Sequence, residues 1–317
     1  MKPIFMFPGQ SSRYPEMIDR LSARWPAEAT AALDEAEGAL GRNLRAHYAA
    51  HNQDIFARNR DVQLGVFLAN HIHMLALERA GVRAELSLGL SLGEYNHLVH
   101  AGALNFADAV RLIDRRGAIY DEGPDGAMAS VFPLSLDELE EVVERARAKG
   151  PLEISNLNSP TQHVVSGARA AVDAAAAIID NEYGCECKII EQRIPMHASI
   201  FKPAAVALRP ALEQASWRAP RLPYLPNVLG RFAEIQAPDQ IAELLFRHVY
   251  RPVRWRESIE FIADMHPDAA FIEVGPRAVL FNLLGRKWRP VTRFRTDAAE
   301  GRDCAFAAAA RELSNGA

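Results

Sequence analysis

Cysteine is scarce in this chain of 317 residues, which contains only Cys185, Cys187 and Cys304. An odd number does not form a closed set of disulfides, and Cys185 and Cys187 are too close in sequence for an unstrained bridge. The composition therefore predicts a reducing, cytoplasmic compartment. The Cys-Glu-Cys pair has no second pair of ligands nearby, so we predict no metal site.

The chain also lacks long apolar runs and an excess of one charge. No apolar run approaches the roughly 18 residues of a membrane span, and the start of the chain enters a strand-like run without a signal-peptide pattern. The formal net charge is -4, which argues against nucleic acid as the main partner. A hydrophobic content of 49% is ample for one large or two smaller domains.

Short apolar strands alternate with amphipathic helices along most of the chain, which predicts an α/β fold with a parallel sheet. Pro8-Gly9 stops the first strand, and Gly275-Pro276 stops the last. The strands are predicted at 4–7, 86–90 and 269–274. Helices are predicted at 61–80, 91–100 and 106–120.

The pattern changes after Gly123-Pro124. Strands at 127–132, 152–156, 162–166 and 188–194 enclose helices at 135–149 and 168–181, and Ser135 with Glu138 forms a capping box for the first helix. The order β-α-β-β-α-β is that of a ferredoxin-like unit. We therefore predict an inserted small subdomain at 125–197, flanked by the two parts of a large subdomain at 1–124 and 198–317.

Gly89-Leu90-Ser91-Leu92-Gly93 follows an apolar strand and opens a helix. A nucleophile elbow needs this context: the turn is sharp, the flanking glycines avoid clashes, and the helix N-terminus faces the serine. Ser91 is therefore a candidate nucleophile, whose developing oxyanion backbone N–H groups can stabilise. The alternative is a structural serine that caps the helix.

A serine nucleophile needs a base, and four histidines lie far enough away in sequence to fold back: His163, His197, His248 and His266. His163 lies within a predicted strand of the insertion, and His266 lies in a turn. His197 follows a strand and a proline, where catalytic groups are often found, but a structural role is equally compatible with this position. The residues alone do not decide between His197 and His248.

Several motifs occur together in the order and spacing of one known family. They are Phe7-Pro8-Gly9-Gln10, Gly89-Leu90-Ser91-Leu92-Gly93-Glu94-Tyr95, Arg116-Gly117, Asn158-Ser159-Pro160, Pro195-Met196-His197 and Glu273-Val274-Gly275-Pro276. With these motifs the chain resembles the malonyl-CoA:acyl carrier protein transacylases, a family that includes the acyltransferase domains of polyketide synthases. The resemblance covers about residues 4 to 285, and the whole set is far more specific than any one motif.

The resemblance implies an α/β-hydrolase-like large subdomain with a ferredoxin-like insertion. It implies that Ser91 is the nucleophile, His197 the general base and Arg116 the group that binds the malonyl carboxylate. The backbone N–H groups of Gln10 and Leu92 would form the oxyanion hole. Malonyl-CoA would be the substrate and an acyl carrier protein the partner, with no cofactor, and free-standing members of the family are often monomers.

The loop Gly9-Gln10-Ser11-Ser12-Arg13 departs from the usual Gly-Gln-Gly-Ser-Gln of the family, and two further positions differ. Ser11 replaces a glycine and lacks its freedom at positive φ, so we expect a slightly different oxyanion loop. Leu90 replaces the histidine common before the nucleophile, and Met196 replaces a serine or phenylalanine beside the acyl pocket. The flexible Met196 could fill space beside a malonyl group or move aside for a larger one, so the acyl group stays open. Without the resemblance, Arg116 would be taken as a charge on a solvated helix face.

Two other functions remain open. A hydrolase would use the same serine and histidine, although Arg116 favours transfer because related editing hydrolases generally lack it. A non-catalytic scaffold would not need both Ser91 and His197. The sequence does not distinguish a role in fatty-acid synthesis from one in polyketide synthesis. The departures from the family pattern at Ser11 and Met196 favour a specialised role.

A basic stretch near the end of the chain is a candidate docking surface for an acidic carrier protein. It runs through Arg286-Lys287-Trp288-Arg289 and continues to Arg293 and Arg295. The alternative is a solvated face or an intramolecular charge network.

Overall fold

The computed structural model describes residues 1–49, 52, 54–285, 288, 291–298 and 301–308. Two separate sheets of four strands organise this part of the chain, one parallel and one antiparallel. The strands are β1 Lys2–Phe7, β2 Leu86–Gly89, β3 Ala127–Phe132, β4 Leu152–Leu157, β5 His163–Gly167, β6 Glu186–Glu191, β7 Ala269–Glu273 and β8 Thr292–Arg295.

Helices surround both sheets. They are α1 Met17–Arg24, α2 Pro26–Leu40, α3 Leu44–His47, α4 Asn59–Arg79, α5 Gly93–His100, α6 Phe106–Asp121, α7 Leu136–Ala146, α8 Arg169–Ile178, α9 Lys202–Gln214, α10 Asp239–His248, α11 Trp255–Met265 and α12 Val279–Gly285. Within the described ranges, none of them is long and apolar enough to cross a bilayer.

The parallel sheet has the order β2-β1-β7-β8, so β1 lies inside it. Residues Ile4 to Phe7 of β1 are completely buried, as expected for a parallel strand covered by helices on both faces. The sheet confirms the predicted parallel α/β architecture. β8 was not predicted, because Thr292–Arg295 alternates arginine with other residues and lacks an apolar run.

The antiparallel sheet has the order β4-β5-β3-β6, and α7 and α8 share one apolar core with it. This is the predicted ferredoxin-like order, and the capping box of Ser135 and Glu138 is present at the start of α7. The predicted strand at 188–194 lies instead at Glu186–Glu191. The residues after Glu191 leave the sheet and lead to His197. The subdomain boundaries at 125 and 197 stay predictions.

Backbone hydrogen bonds attach β4 of the antiparallel sheet to the segment between α10 and α11. Val253, just before α11, forms a bridge with Asn156 of β4, and its N–H donates to the Ser155 carbonyl at 2.9 Å. On the same stretch of chain, the Val249 carbonyl accepts the His197 N–H at 3.0 Å. The segment from Val249 to Val253 thereby holds both β4, an edge strand of the small sheet, and the backbone of His197.

Candidate active site

Ser91 lies in the turn between β2 and α5, with φ of 52° in the left-handed region. A Cβ atom on Gly89 would lie 2.0 Å from the Gly93 carbonyl, and one on Gly93 would lie 2.0 Å from the Phe7 carbonyl oxygen. No side chain fits at either position. The two glycines therefore let the chain turn sharply enough to place Ser91 at the start of the helix, as a nucleophile elbow requires.

The Ser91 side chain contacts the imidazole of His197. The distance from Ser91 Oγ to His197 Nε2 is 2.8 Å, and that from His197 Nδ1 to the His248 carbonyl oxygen is also 2.8 Å. A carbonyl oxygen only accepts, so Nδ1 carries the proton and Nε2 is left to accept from the serine. Burial, with a smaller effect of the Arg116 charge, lowers the pKa of His197 to about 4. The imidazole is therefore neutral near pH 7 and can accept a proton.

The second candidate base, His248, lies directly against the first. Its ring stacks on the His197 ring, with 4.9 Å between centroids and 22° between planes, and its Nδ1 lies 3.2 Å from a Glu94 oxygen. Only His197 reaches the serine. His163 is buried in β5, and His266 follows the end of α11. The structure thus brings the ring of His197, and not that of His248, to the serine, a difference that the sequence did not show.

A cavity of about 110 Å³ opens beside Ser91 and His197. The predicted site residues Gln10, Leu90 and Met196 line it, together with residues of the antiparallel sheet and the first turn. The others are Gly9, Ser11, Arg13, Met128, Asn156, Asn158, Val164, Ile190 and Glu191. The cavity therefore lies between the two sheets, and its volume suits a small group.

The candidate oxyanion donors are the N–H groups of Gln10 and Leu92, at the starts of a short 3-10 turn and of α5. Across the described residues, neither amide has an acceptor in a turn, cap or side chain. Ser12 Oγ donates to the Gly9 carbonyl at 2.9 Å and thereby braces the turn. Ser11 is exposed and is not among the described residues with positive φ, so this position does not need glycine.

Arg116 is buried, with 1% of its surface exposed, although the pattern of its helix alone suggested a solvated face. Its Nη1 donates to Gln63 Oε1 at 2.6 Å, and its guanidinium lies 4.2 Å from the Tyr120 ring centroid. Among the described residues it has no carboxylate within ion-pair distance, and its Nε has no hydrogen-bond partner. It does not line the cavity, but its charge acts on both His197 and Glu94.

Three residues of the site were missed by the sequence analysis. Gln63 is a fully buried amide in the largely apolar α4, and this interruption of an apolar helix was the available signal. Asn227 lies in an irregular segment after α9, where no periodicity marks it, and Glu94 was noted only as part of a motif. Asn227 accepts the Ser91 N–H, and Glu94 in turn accepts the Asn227 N–H.

Metal binding has no support in the part of the chain that the structure describes. No group of three or more His, Cys, Asp or Glu side chains is arranged there to hold a metal ion. The site consists of a serine, a neutral imidazole, two free amides and a buried guanidinium. This set can transfer an acyl group through a covalent serine ester.

Comparison with known proteins gives concordant results. Residues 4–311 match the family model of the acyl transferase domain. The malonyl CoA-acyl carrier protein transacylase of Escherichia coli K12 is 33% identical over 287 residues, which are 89% of this chain and 91% of the relative.

Two solved structures are also similar over nearly the whole chain. An acyl-carrier-protein S-malonyltransferase from Burkholderia pseudomallei has a TM-score of 0.88 and 30% identity, and the match covers 99% of this chain and 100% of that one. A malonyl transacylase in complex with a type II polyketide synthase acyl carrier protein has a TM-score of 0.87 and 27% identity, again with 99% and 100% coverage.

Proposed function

The chain belongs to the acyl transferase domain family, and from this premise we propose that it moves a malonyl group from malonyl-CoA to the phosphopantetheine thiol of an acyl carrier protein. The relatives named for this reaction, and the one solved with a carrier protein, support the donor and the acceptor. The observation that carries the proposal is the 2.8 Å contact from Ser91 Oγ to His197 Nε2 beside a small cavity. The product serves fatty-acid or polyketide synthesis.

The first half-reaction forms an ester on Ser91. His197 Nε2 takes the hydroxyl proton while Ser91 Oγ attacks the thioester carbonyl carbon. The carbonyl oxygen becomes an oxyanion, which the N–H groups of Gln10 and Leu92 stabilise. When the carbon–sulfur bond breaks, His197 returns its proton to the sulfur and coenzyme A leaves as a thiol.

The second half-reaction reverses these steps with the carrier protein. His197 takes the proton of the phosphopantetheine thiol, and the thiolate attacks the ester carbonyl. The bond from carbon to Ser91 Oγ breaks, and His197 returns the proton to the serine. No electrons are exchanged and no cofactor takes part, so the neutral imidazole near pH 7 is the group that both halves need.

Arg116 is proposed to bind the malonyl carboxylate. A buried guanidinium without an acidic partner is unfavourable, and a substrate carboxylate would supply the missing charge. Arginine suits this purpose because it stays charged and presents two parallel N–H donors. Met196 and Leu90 line the cavity and are proposed to limit the size of the acyl group. The scarcity of cysteine supports a cytoplasmic setting, and we propose that the enzyme acts as a monomer.

Intact-protein mass spectrometry after incubation with malonyl-CoA tests the proposal. We expect the mass of one malonyl group on the wild type and none on Ser91→Ala. Addition of an acyl carrier protein should then move the group to the carrier. Release of free malonate without a carrier, at the same rate as transfer to the carrier, would identify a hydrolase. Absence of any label would indicate a non-catalytic scaffold. Labelling of Ser91→Ala would show that Ser91 is not the nucleophile.

A further inference from the structure

We infer that Glu94 is a positioning residue that holds Ser91 and His197 in reacting geometry, through Asn227 on one side and His248 on the other. The inference rests on the proposed acyl transfer and extends it to a residue that touches neither substrate nor the reacting atoms. Glu94 lies in the first turn of α5, three residues after the nucleophile, and is completely buried.

On the nucleophile side, Asn227 clamps the turn that carries Ser91. Its Oδ1 accepts the Ser91 N–H at 2.7 Å, and its Nδ2 donates to the Gly89 carbonyl at 2.6 Å. The left-handed φ of Ser91 is unfavourable for a residue with a side chain and needs such support. Glu94 Oε2 in turn accepts the Asn227 N–H at 3.1 Å.

On the base side, His248 supplies the carbonyl that holds His197 Nδ1 at 2.8 Å. The His248 side chain places its Nδ1 3.2 Å from Glu94 Oε2, and its ring stacks on that of His197. Burial lowers the pKa of His248, so its ring is neutral beside the Glu94 carboxylate. Glu94 Oε2 therefore accepts from Asn227, which holds the Ser91 backbone, and lies 3.2 Å from the ring of His248, whose carbonyl holds His197.

A carboxylate is the side chain that this junction requires. Tyr224 Oη donates to Oε1 at 2.5 Å, so both oxygens of Glu94 act as acceptors in the folded protein. A glutamine offers one oxygen and one N–H₂ group, and the latter cannot accept from these donors. Glu94→Gln therefore keeps the shape but leaves either the Tyr224 hydroxyl proton or the Asn227 N–H without its acceptor in the core.

The decisive experiment measures the rate constant of Ser91 acylation per reactive site in single turnover. Unfolded molecules lower the amplitude of the reaction but do not change this rate constant. For Glu94→Gln we expect a loss on the order of 100-fold in this rate constant, because small misplacement of reacting groups has effects of that size. KM for malonyl-CoA should change little. His248→Gln should lose less, because it keeps the backbone carbonyl.

Glu273→Gln is the matched control. Glu273 is likewise a completely buried carboxylate, accepts two backbone N–H groups at the start of α12, and has no described hydrogen bond to the dyad or to Glu94. We expect this variant to lose stability but to keep the acylation rate constant per site. If both variants keep that rate constant, Glu94 is only structural and the inference is wrong.

Modification of Ser91 by phenylmethylsulfonyl fluoride separates this inference from the proposed function. That reaction needs Ser91 and His197 but no malonyl group. We expect Glu94→Gln to slow it by a similar factor, and Glu94→Gln with Asn227→Ala to lose less than the product of the single losses, because both act through one junction. If the wild type does not react with malonyl-CoA but is sulfonylated normally, only the proposed function is wrong. If Glu94→Gln is sulfonylated at the wild-type rate, only the inference about Glu94 is wrong.

Discussion

At the scale of single residues, backbone strain is concentrated at the reacting pair. Among the described residues, the non-glycine residues with positive φ are Glu16, Ser91, His197 and Arg277. Two of these four form the proposed dyad. Such conformations are unfavourable and persist where the surroundings hold them. Here the surroundings are identifiable: Asn227 holds the Ser91 backbone, and the Val249 carbonyl accepts the His197 N–H.

Replacement of Arg116 tests the acyl specificity. Arg116→Ala should reduce malonyl transfer by roughly 2–4 kcal/mol in transition-state binding, the order expected when a charged pair loses one partner. Acetyl transfer should fall much less, because an acetyl group has no carboxylate to pair. The measurement is kcat/KM for both donors.

Arg115→Ala is the matched control for that experiment. Arg115 is the exposed neighbour of Arg116 on α6, so its removal takes away the same charge and should leave both reactions unchanged. An equal loss of acetyl and malonyl transfer in Arg116→Ala would show that the guanidinium supports the protein instead of selecting the substrate.

The sequence could predict part of the site because some of its constraints are local. Gly89 and Gly93 mark the turn, since any Cβ there would collide with backbone. The choice of His197 over His248 depends on how two distant segments pack, which no local pattern encodes. Asn227 was missed for the same reason: it is 136 residues away from Ser91 in sequence, although its side chain holds the Ser91 amide.

At the scale of helices and strands, predictions succeeded where the sequence had both a regular spacing of apolar residues and a residue that ends the helix or strand. The helix predicted at 61–80 is α4 at Asn59–Arg79, and Gly81 just after it has a positive φ of 83°. The misplaced end of β6 has a physical cause. The apolar residues after Glu191 include Ile194 and Met196, which are buried in the core of the large subdomain instead of pairing in the small sheet. An apolar run in the sequence does not indicate whether it packs into the core of the large or of the small subdomain.

Asp121, at the end of α6, caps a different helix. Its carboxylate accepts the N–H groups of Asn59 at 2.8 Å and Arg60 at 3.1 Å, which begin α4 and have no cap from the preceding side chain. Asp121→Ala should lower the free energy of unfolding by about 1–3 kcal/mol, because two partly buried donors lose a charged acceptor. Urea unfolding with an unchanged m-value measures this loss.

Arg193 provides the comparison, because its exposed guanidinium also pairs with Asp121, at 3.0 Å. Arg193→Ala should lower the free energy of unfolding by less than about 1 kcal/mol, as exposed ion pairs contribute little. Equal losses in the two variants would mean that the ion pair, and not the helix cap, makes Asp121 important.

At the scale of the whole molecule, the parallel α/β sheet and the ferredoxin-like unit were predictable from strand and helix alternation, whereas the order of strands in the parallel sheet was not. The docking surface was not. Arg286, Lys287 and Arg289 of the basic stretch lie outside the described residues, so carrier binding there stays a prediction. Arg293 donates to the Phe281 carbonyl and Arg295 pairs with Asp303 at 2.9 Å. These two arginines therefore have intramolecular partners.

The number of buried neutral histidines should make the whole fold sensitive to acid. Burial lowers the pKa of His71, His73 and His97 to about 3, and that of His100, His163 and His197 to about 4. In the unfolded chain these groups bind protons near pH 6.5, and in the folded protein they do not. Their contribution to stability is therefore complete above pH 6.5 and is lost as the pH falls. Glu94 and Glu273 act in the opposite direction, because burial raises their pKa to about 7.

Since the buried histidines outnumber the two carboxyls, we expect the urea midpoint of unfolding to fall steeply between pH 6.5 and 5. Ser91 acylation should then be lost because the protein unfolds, before His197 itself is protonated. Each buried histidine contributes a slope of up to about 1.4 kcal/mol per pH unit. His73 is the best probe, because neither ring nitrogen has a partner among the described residues and its ring packs edge-on against Trp25. His73→Phe keeps that contact and should reduce the slope by up to about 1.4 kcal/mol per pH unit. A slope unchanged by His73→Phe, or a midpoint that rises towards pH 5, would show that buried histidines do not set the acid limit.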